Sequence, residues 1–167
     1  MNISKARELF RLLAKEHFSH HTVVFTKQSR VAKPEIPLIT ITTGNPTRHL
    51  LPNEILTNEE SEGFYQTKLP FTVDLFTNGS PVYDETGEEI GCEDTALDEM
   101  LLFQNFLNSD YVTRWSNKND VSILADGNSQ NLTGLINDTS YEFRSRLIVN
   151  FYFTQETVGE NANPVHI

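Results

Sequence analysis

The chain has 167 residues with a hydrophobic share of 38%, enough to bury a core without a disulfide or metal staple and too much for a disordered segment. Cys92 is its one cysteine, which excludes an intramolecular disulfide and a multi-thiolate metal site. The net charge of −10 argues against tight nucleic-acid binding, because affinity for phosphates comes mainly from Lys and Arg.

That charge is unevenly placed. Residues 1–48 hold eight Lys or Arg against three Glu, or +5, and residues 49–167 hold five against twenty, or −15. Like subunits could join a basic face to an acidic one, head to tail. No apolar run approaches the ~18–20 residues of a membrane span. Lys5, Arg7, Arg11 and Lys15 are spread through the first eighteen residues, so this segment reads as folded protein rather than a signal peptide.

The first element is an amphipathic helix. Ile3, Ala6, Phe10, Leu13 and His17 recur at helical spacing, Leu9 and Leu12 widen the stripe, and Ser4 is the expected cap. Strands are expected at Thr22–Lys27 and Leu38–Thr43. Gly44 to Glu62, rich in Asn, Pro and Glu, reads as a long loop.

A long strand should run from Gly63 to Thr77, with Tyr65, Thr67, Leu69, Phe71, Val73 and Leu75 on one side. Pro70 implies a bulge or an edge position. Asn78-Gly79-Ser80-Pro81 is a turn, and Pro81–Glu93 reads as an acidic loop. A second helix is expected from Asp94 or Thr95 to Leu107, with Ala96, Met100, Phe103 and Leu107 on one face, joined by Leu97, Leu101 and Phe106. Asn108-Ser109-Asp110 closes it, and Trp115 beyond it reads as a core or rim aromatic.

A short strand at Val121–Leu124 leads through the turn Asp126-Gly127-Asn128 to the strongest pattern in the chain. From Tyr141 to Phe153 the odd positions are nearly all apolar, while the even ones pass from Glu142, Arg144 and Arg146 to Ile148, Asn150 and Tyr152. A strand this long should be central in a sheet. The order α-β-β-β-α-β-β predicts an α+β fold, a mixed and mostly antiparallel sheet with two main helices packed on it. One domain is expected over 1–157, with a polar tail at 158–167.

Chemical motifs are nearly absent. There is no Walker loop and no Gly-x-Ser-x-Gly elbow. His17, His20 and His21 cluster at the end of the first helix without metal-ligand spacing to a carboxylate, so a metal-dependent enzyme built on them is only the rival reading. The acidic run containing Glu85, Glu88, Glu89 and Glu93 lacks the pattern of a calcium loop and reads as solvated, facing a partner or lining a lumen. Salt-sensitive recruitment of a basic partner by the same run is a third reading. Arg144, Arg146, Ile148 and Tyr152 share a face that starts polar and ends apolar, as a subunit interface does.

The stretches Asp120–Leu124, Leu132-Thr133-Gly134-Leu135 and Tyr141–Phe153 resemble the neck and tail terminator proteins of tailed bacteriophages. The resemblance implies a ring, commonly of six subunits, that caps the tail tube or joins it to the head connector. It further implies partners in the tube, sheath and connector, DNA passing through without specific binding, a place in the virion neck after assembly in the host cytoplasm, no membrane, no cofactor and no catalysis. A neck adaptor or stopper is the close variant.

Overall fold

The computed structural model describes residues 1–27, 34–48, 53–57, 60–137 and 140–156, and for 53–57, 60–63 and 156 the backbone alone. The chain begins with helix α1 (Ile3–His17), followed by strands β1 (Thr22–Phe25), β2 (Leu38–Thr43), β3 (Thr47–Arg48), β4 (Asn53–Thr57) and the long β5 (Glu60–Thr77). A hairpin of β6 (Ser80–Tyr83) and β7 (Glu89–Glu93) leads to helices α2 (Ala96–Leu107) and α3 (Asp110–Lys118). Strands β8 (Val121–Ala125), β9 (Gln130–Asn131), β10 (Gly134–Asn137) and the long β11 (Ser140–Glu156) complete the fold.

This is the expected α+β architecture, with three helices among the described residues rather than two main ones. The extra helix is α3. Ser109, read as part of the end of α2, instead starts α3, its hydroxyl accepting the N–H of Val112 at 3.3 Å. Similarly, Asn2 rather than Ser4 caps α1, its side chain accepting the N–H of Lys5 at 2.8 Å. The three-residue offset from cap to bonded N–H fits both sites, because an N-cap oxygen reaches the N–H of the second or third helical residue.

The sheet is built around one antiparallel ladder. β5 and β11 pair from Phe143 opposite Thr77 to Glu156 opposite Phe64. β2, β3 and β4 line the outer side of β5, with β1 beyond β2 and parallel to it. β8, β9 and β10 line the outer side of β11. Both long strands are therefore central, as the length of β11 requires.

Pro70 sits in the middle of this ladder, opposite Asn150, and neither at an edge nor at a shift of the β5–β11 register. The reason is local. Its carbonyl points away from β11 and accepts the N–H of Gly44 at 2.8 Å, just past the end of β2. In an antiparallel strand a residue's N–H points the same way as its C=O, so the missing donor falls where β2 gives way to β3.

The segment expected as a loop from Gly44 to Glu62 contains β3, β4 and the start of β5. Pairing there runs from Asn53 opposite Phe64 to Thr57 opposite Glu60, so backbone hydrogen bonds hold strands whose polar sequence hides them. Likewise Pro81–Glu93 is a hairpin, not a loop. At its tip Asp84 Oδ1 accepts from the N–H and hydroxyl of Thr86 and from the N–H of Glu88, which holds its carboxyl below the usual range. The tail expected at 158–167 lies outside the described residues.

The core lies on one face of the sheet. Ala6, Leu9, Phe10, Leu13 and Ala14 of α1, at the spacing of a single helical stripe, meet Met100 and Phe103 of α2 and Val112 of α3. They cover Leu69, Phe71, Val73 and Leu75 of β5 and Leu147, Val149, Phe151 and Phe153 of β11. On α2 the buried line is Ala96, Met100, Phe103 and Leu107, while Leu101 is exposed rather than part of it.

Candidate functional site

The period of two along β5 and β11 gives the sheet a second face. The register sets Phe76, Asp74, Thr72, Pro70 and Lys68 opposite Arg144, Arg146, Ile148, Asn150 and Tyr152. The buried apolar residues of all three helices belong to the cluster on the first face, so no described helix covers this one.

Arg144, Arg146, Ile148 and Tyr152 all lie on this face, but they do different things. The two arginines converge on Asp74, which is 3% exposed. Arg146 donates from Nε to Oδ1 at 2.8 Å and from Nη2 to Oδ2 at 3.0 Å, and Arg144 Nη2 reaches Oδ2 at 3.1 Å. Arg144 also lies 5.1 Å over the ring of Phe76. The carboxylate beside Arg146 holds its guanidinium pKa above the ordinary range. These charges neutralise a buried carboxylate within the chain. Ile148 and Tyr152, farther along, are partly exposed.

At the Tyr152 end the face opens into a groove of about 660 Å³. Its walls include Thr47 and Arg48 from β3, Lys68 from β5, Ser122 and Leu124 from β8, and Tyr152 itself. Sequence reasoning missed this groove, because one wall of it, Thr47 and Arg48, comes from β3, inside the segment expected as a loop.

Glu85, Glu88, Glu89 and Glu93 lie on the exposed β6–β7 hairpin, beside exposed Val82, Tyr83 and Ile90. The hairpin is fixed at its base by Gly79, whose φ is +74°. A Cβ there would lie 2.3 Å from the carbonyl of Glu93 and 2.7 Å from the ring of Phe143.

The histidines are placed differently from a metal site. His17 packs against Phe18, Phe103 and Phe106, with ring centroids 4.7, 5.3 and 5.0 Å away. His21 packs on Phe18, and its Nε2 lies 3.7 Å from Glu99 Oε2. His20 is exposed. Among the described residues no three His, Cys, Asp or Glu side chains are grouped to hold a metal ion.

Burial lowers the pKa of His17, and the neighbouring charge of His21 lowers it further. Burial lowers that of His21 as well, against the opposing pull of Glu99. Below the ordinary value of 6.5 the unfolded chain takes up protons that these folded imidazoles resist. Stability from this source is thus present above pH 6.5 and is lost as the pH falls through the lower folded values. Urea midpoints across this range should fall with pH, and His17→Gln should flatten that slope; an unchanged slope would show that His17 titrates normally.

A family model described as the phage neck terminator protein matches residues 7–167, nearly the whole chain. The chain belongs to the phage neck terminator family. Its role is therefore structural, in the neck of a bacteriophage virion, and the resemblance carried by Tyr141–Phe153 is borne out. No curated protein matches the chain. For a neck terminator the features that matter are surfaces, and two with opposite charge character stand out: the groove at the Tyr152 end of the second face, and the acidic hairpin. Among the described residues no helix is long and apolar enough to cross a membrane.

Proposed function

We propose that this neck terminator assembles with copies of itself into a ring, of six subunits by the family resemblance, at the top of the tail tube. The ring ends the tube, joins it to the head connector and leaves a central path for DNA. The observation that carries this reading is the sheet face that no described helix covers, where Ile148 and Tyr152 stand partly exposed beside the Asp74 cluster. A sheet sealed by helices on one face, with partly exposed apolar side chains on the other, has a surface suited to further protein. The net charge of −10 supports passage of DNA without adhesion, since like charge repels a polyanion.

The enzyme reading draws no support from the geometry, because His17 and His21 are packed among phenylalanines and His20 stands apart. The adaptor or stopper variant shares the same surfaces and differs in the layer of the neck it occupies. Negative-stain images of the purified protein should show rings with a central hole, and antibody should label the neck of virions at the tube end. A strictly monomeric protein absent from virions would sink the proposal; label at the connector end would favour the stopper.

A further inference from the structure

The acidic hairpin and the groove lie toward opposite ends of the β5–β11 ladder. The β6–β7 hairpin starts at Ser80, three residues past the end of β5. The groove is walled by Lys68, nine positions back along the same strand from Thr77. At ~3.3 Å per residue this separation is about 30 Å. The hairpin strands are four and five residues long, so the hairpin extends only about 15 Å, and Gly79 locks its base against Glu93 and Phe143. The hairpin cannot reach the groove of its own chain.

The two surfaces complement each other chemically. Residues 80–93 carry Asp84, Glu85, Glu88, Glu89 and Glu93 and no Lys or Arg. Among them Tyr83 is 57% exposed and Ile90 65%. A two-stranded hairpin with its apolar side chains in water is marginal by itself and is stabilised by a partner. The groove offers Arg48 and Lys68 against the single acid Asp120, with exposed Leu124 and the Tyr152 ring as apolar wall.

We infer that the β6–β7 hairpin of one subunit docks in the groove between β3, β5 and β8 of the next copy. Its carboxylates meet Arg48 and Lys68, and Tyr83 or Ile90 packs on Leu124 and Tyr152. The contact joins two different surfaces of identical chains, so it repeats head to tail and closes a ring when the rotation allows. It rests on the proposed ring and assigns its subunit interface.

Cys92, exposed on β7, makes the contact testable, because no other cysteine competes. Ser122→Cys places a second thiol on the exposed groove wall. With a short bismaleimide, S122C should give a covalent ladder beyond dimers, whereas the unmodified chain should not pass the dimer. Mixing the unmodified chain with the S122C/C92S variant should give heterodimers.

As a second measurement, E85K/E88K/E89K should abolish the ladder at low salt, and R48E/K68E in the neighbouring copy should restore it. Rings seen in negative stain without any product linking Cys92 to the thiol introduced by S122C would overturn the docking and leave the ring intact. Protein that is monomeric in every preparation and never cross-links would overturn both. A ladder indifferent to the charge reversals would overturn the pairing of Arg48 and Lys68 with the hairpin.

Discussion

Phe71→Ala is expected to destabilise the fold by about 3–5 kcal/mol, the range for deleting a fully buried aromatic side chain. Phe71 lies at the centre of β5 and is completely buried. Its ring stacks on that of Phe10 at 4.5 Å and meets the ring of Phe151 edge-on at 5.9 Å, so one side chain joins α1, β5 and β11. The site has little room to collapse. The backbone of β5 at Phe71 is bonded between β2 and β11, paired with Thr43 on one side and Val149 on the other. A cavity would therefore persist, and its lining would lose dispersion contacts as well as the transfer free energy of the ring. Phe71→Leu keeps most of the volume and should cost markedly less. Equilibrium urea unfolding with an unchanged slope checks the difference; a loss below about 1 kcal/mol for the alanine variant would show that the three rings do not anchor the fold.

The same ring shows why the central ladder could be read from sequence. Phe71 and Phe151 sit in runs that alternate over more than ten residues, and side-chain period survives any tertiary context. The open face of β11 was legible for the same reason, with Arg144, Arg146, Ile148 and Tyr152 on it. What alternation cannot reveal is the partner across the strand. Asp74 appears in sequence as one polar position of β5, and only the register that sets it opposite Arg146 turns two surface cations into ligands of a buried carboxylate.

Short, polar elements were hidden for a different reason. The strands β3, β4, β6 and β7 are held chiefly by backbone hydrogen bonds to β5 or to each other, and the backbone carries no sequence signal. The hairpin did offer one clue, the turn of Asp84 and Gly87 between Val82-Tyr83 and Ile90. The helix α3 offered another. Ser109-Asp110 followed by Val112, Trp115 and Ser116 is a cap with a one-sided stripe, obscured because it directly follows the end of α2. The groove needed β3 to be placed, so it was beyond reach.

Removing both arginines, as in R144M/R146M, is expected to cost about 3–5 kcal/mol, because it leaves the Asp74 carboxylate buried without a counter-charge. Asp74→Asn should cost less. The side chains of Arg144 and Arg146 are 30% and 34% exposed, so they keep water when the carboxylate goes, whereas that of Asp74 is 5% exposed and has none to fall back on. The asymmetry is the test of which partner bears the desolvation. The triple variant D74L/R144M/R146M should recover most of the loss, since an apolar cluster of similar volume has no charge to solvate. Arg146→Lys should be closer to a loss than to a neutral exchange, because a lysine cannot span both oxygens as Nε and Nη2 of Arg146 do. Denaturant titrations of the four variants rank them. If Asp74→Asn proves the most damaging, the arginines rather than the carboxylate are the groups that cannot stand unpaired. The open face would then owe its order to the carboxylate drawing two cations onto the sheet, and a partner bringing its own carboxylate could take over that role.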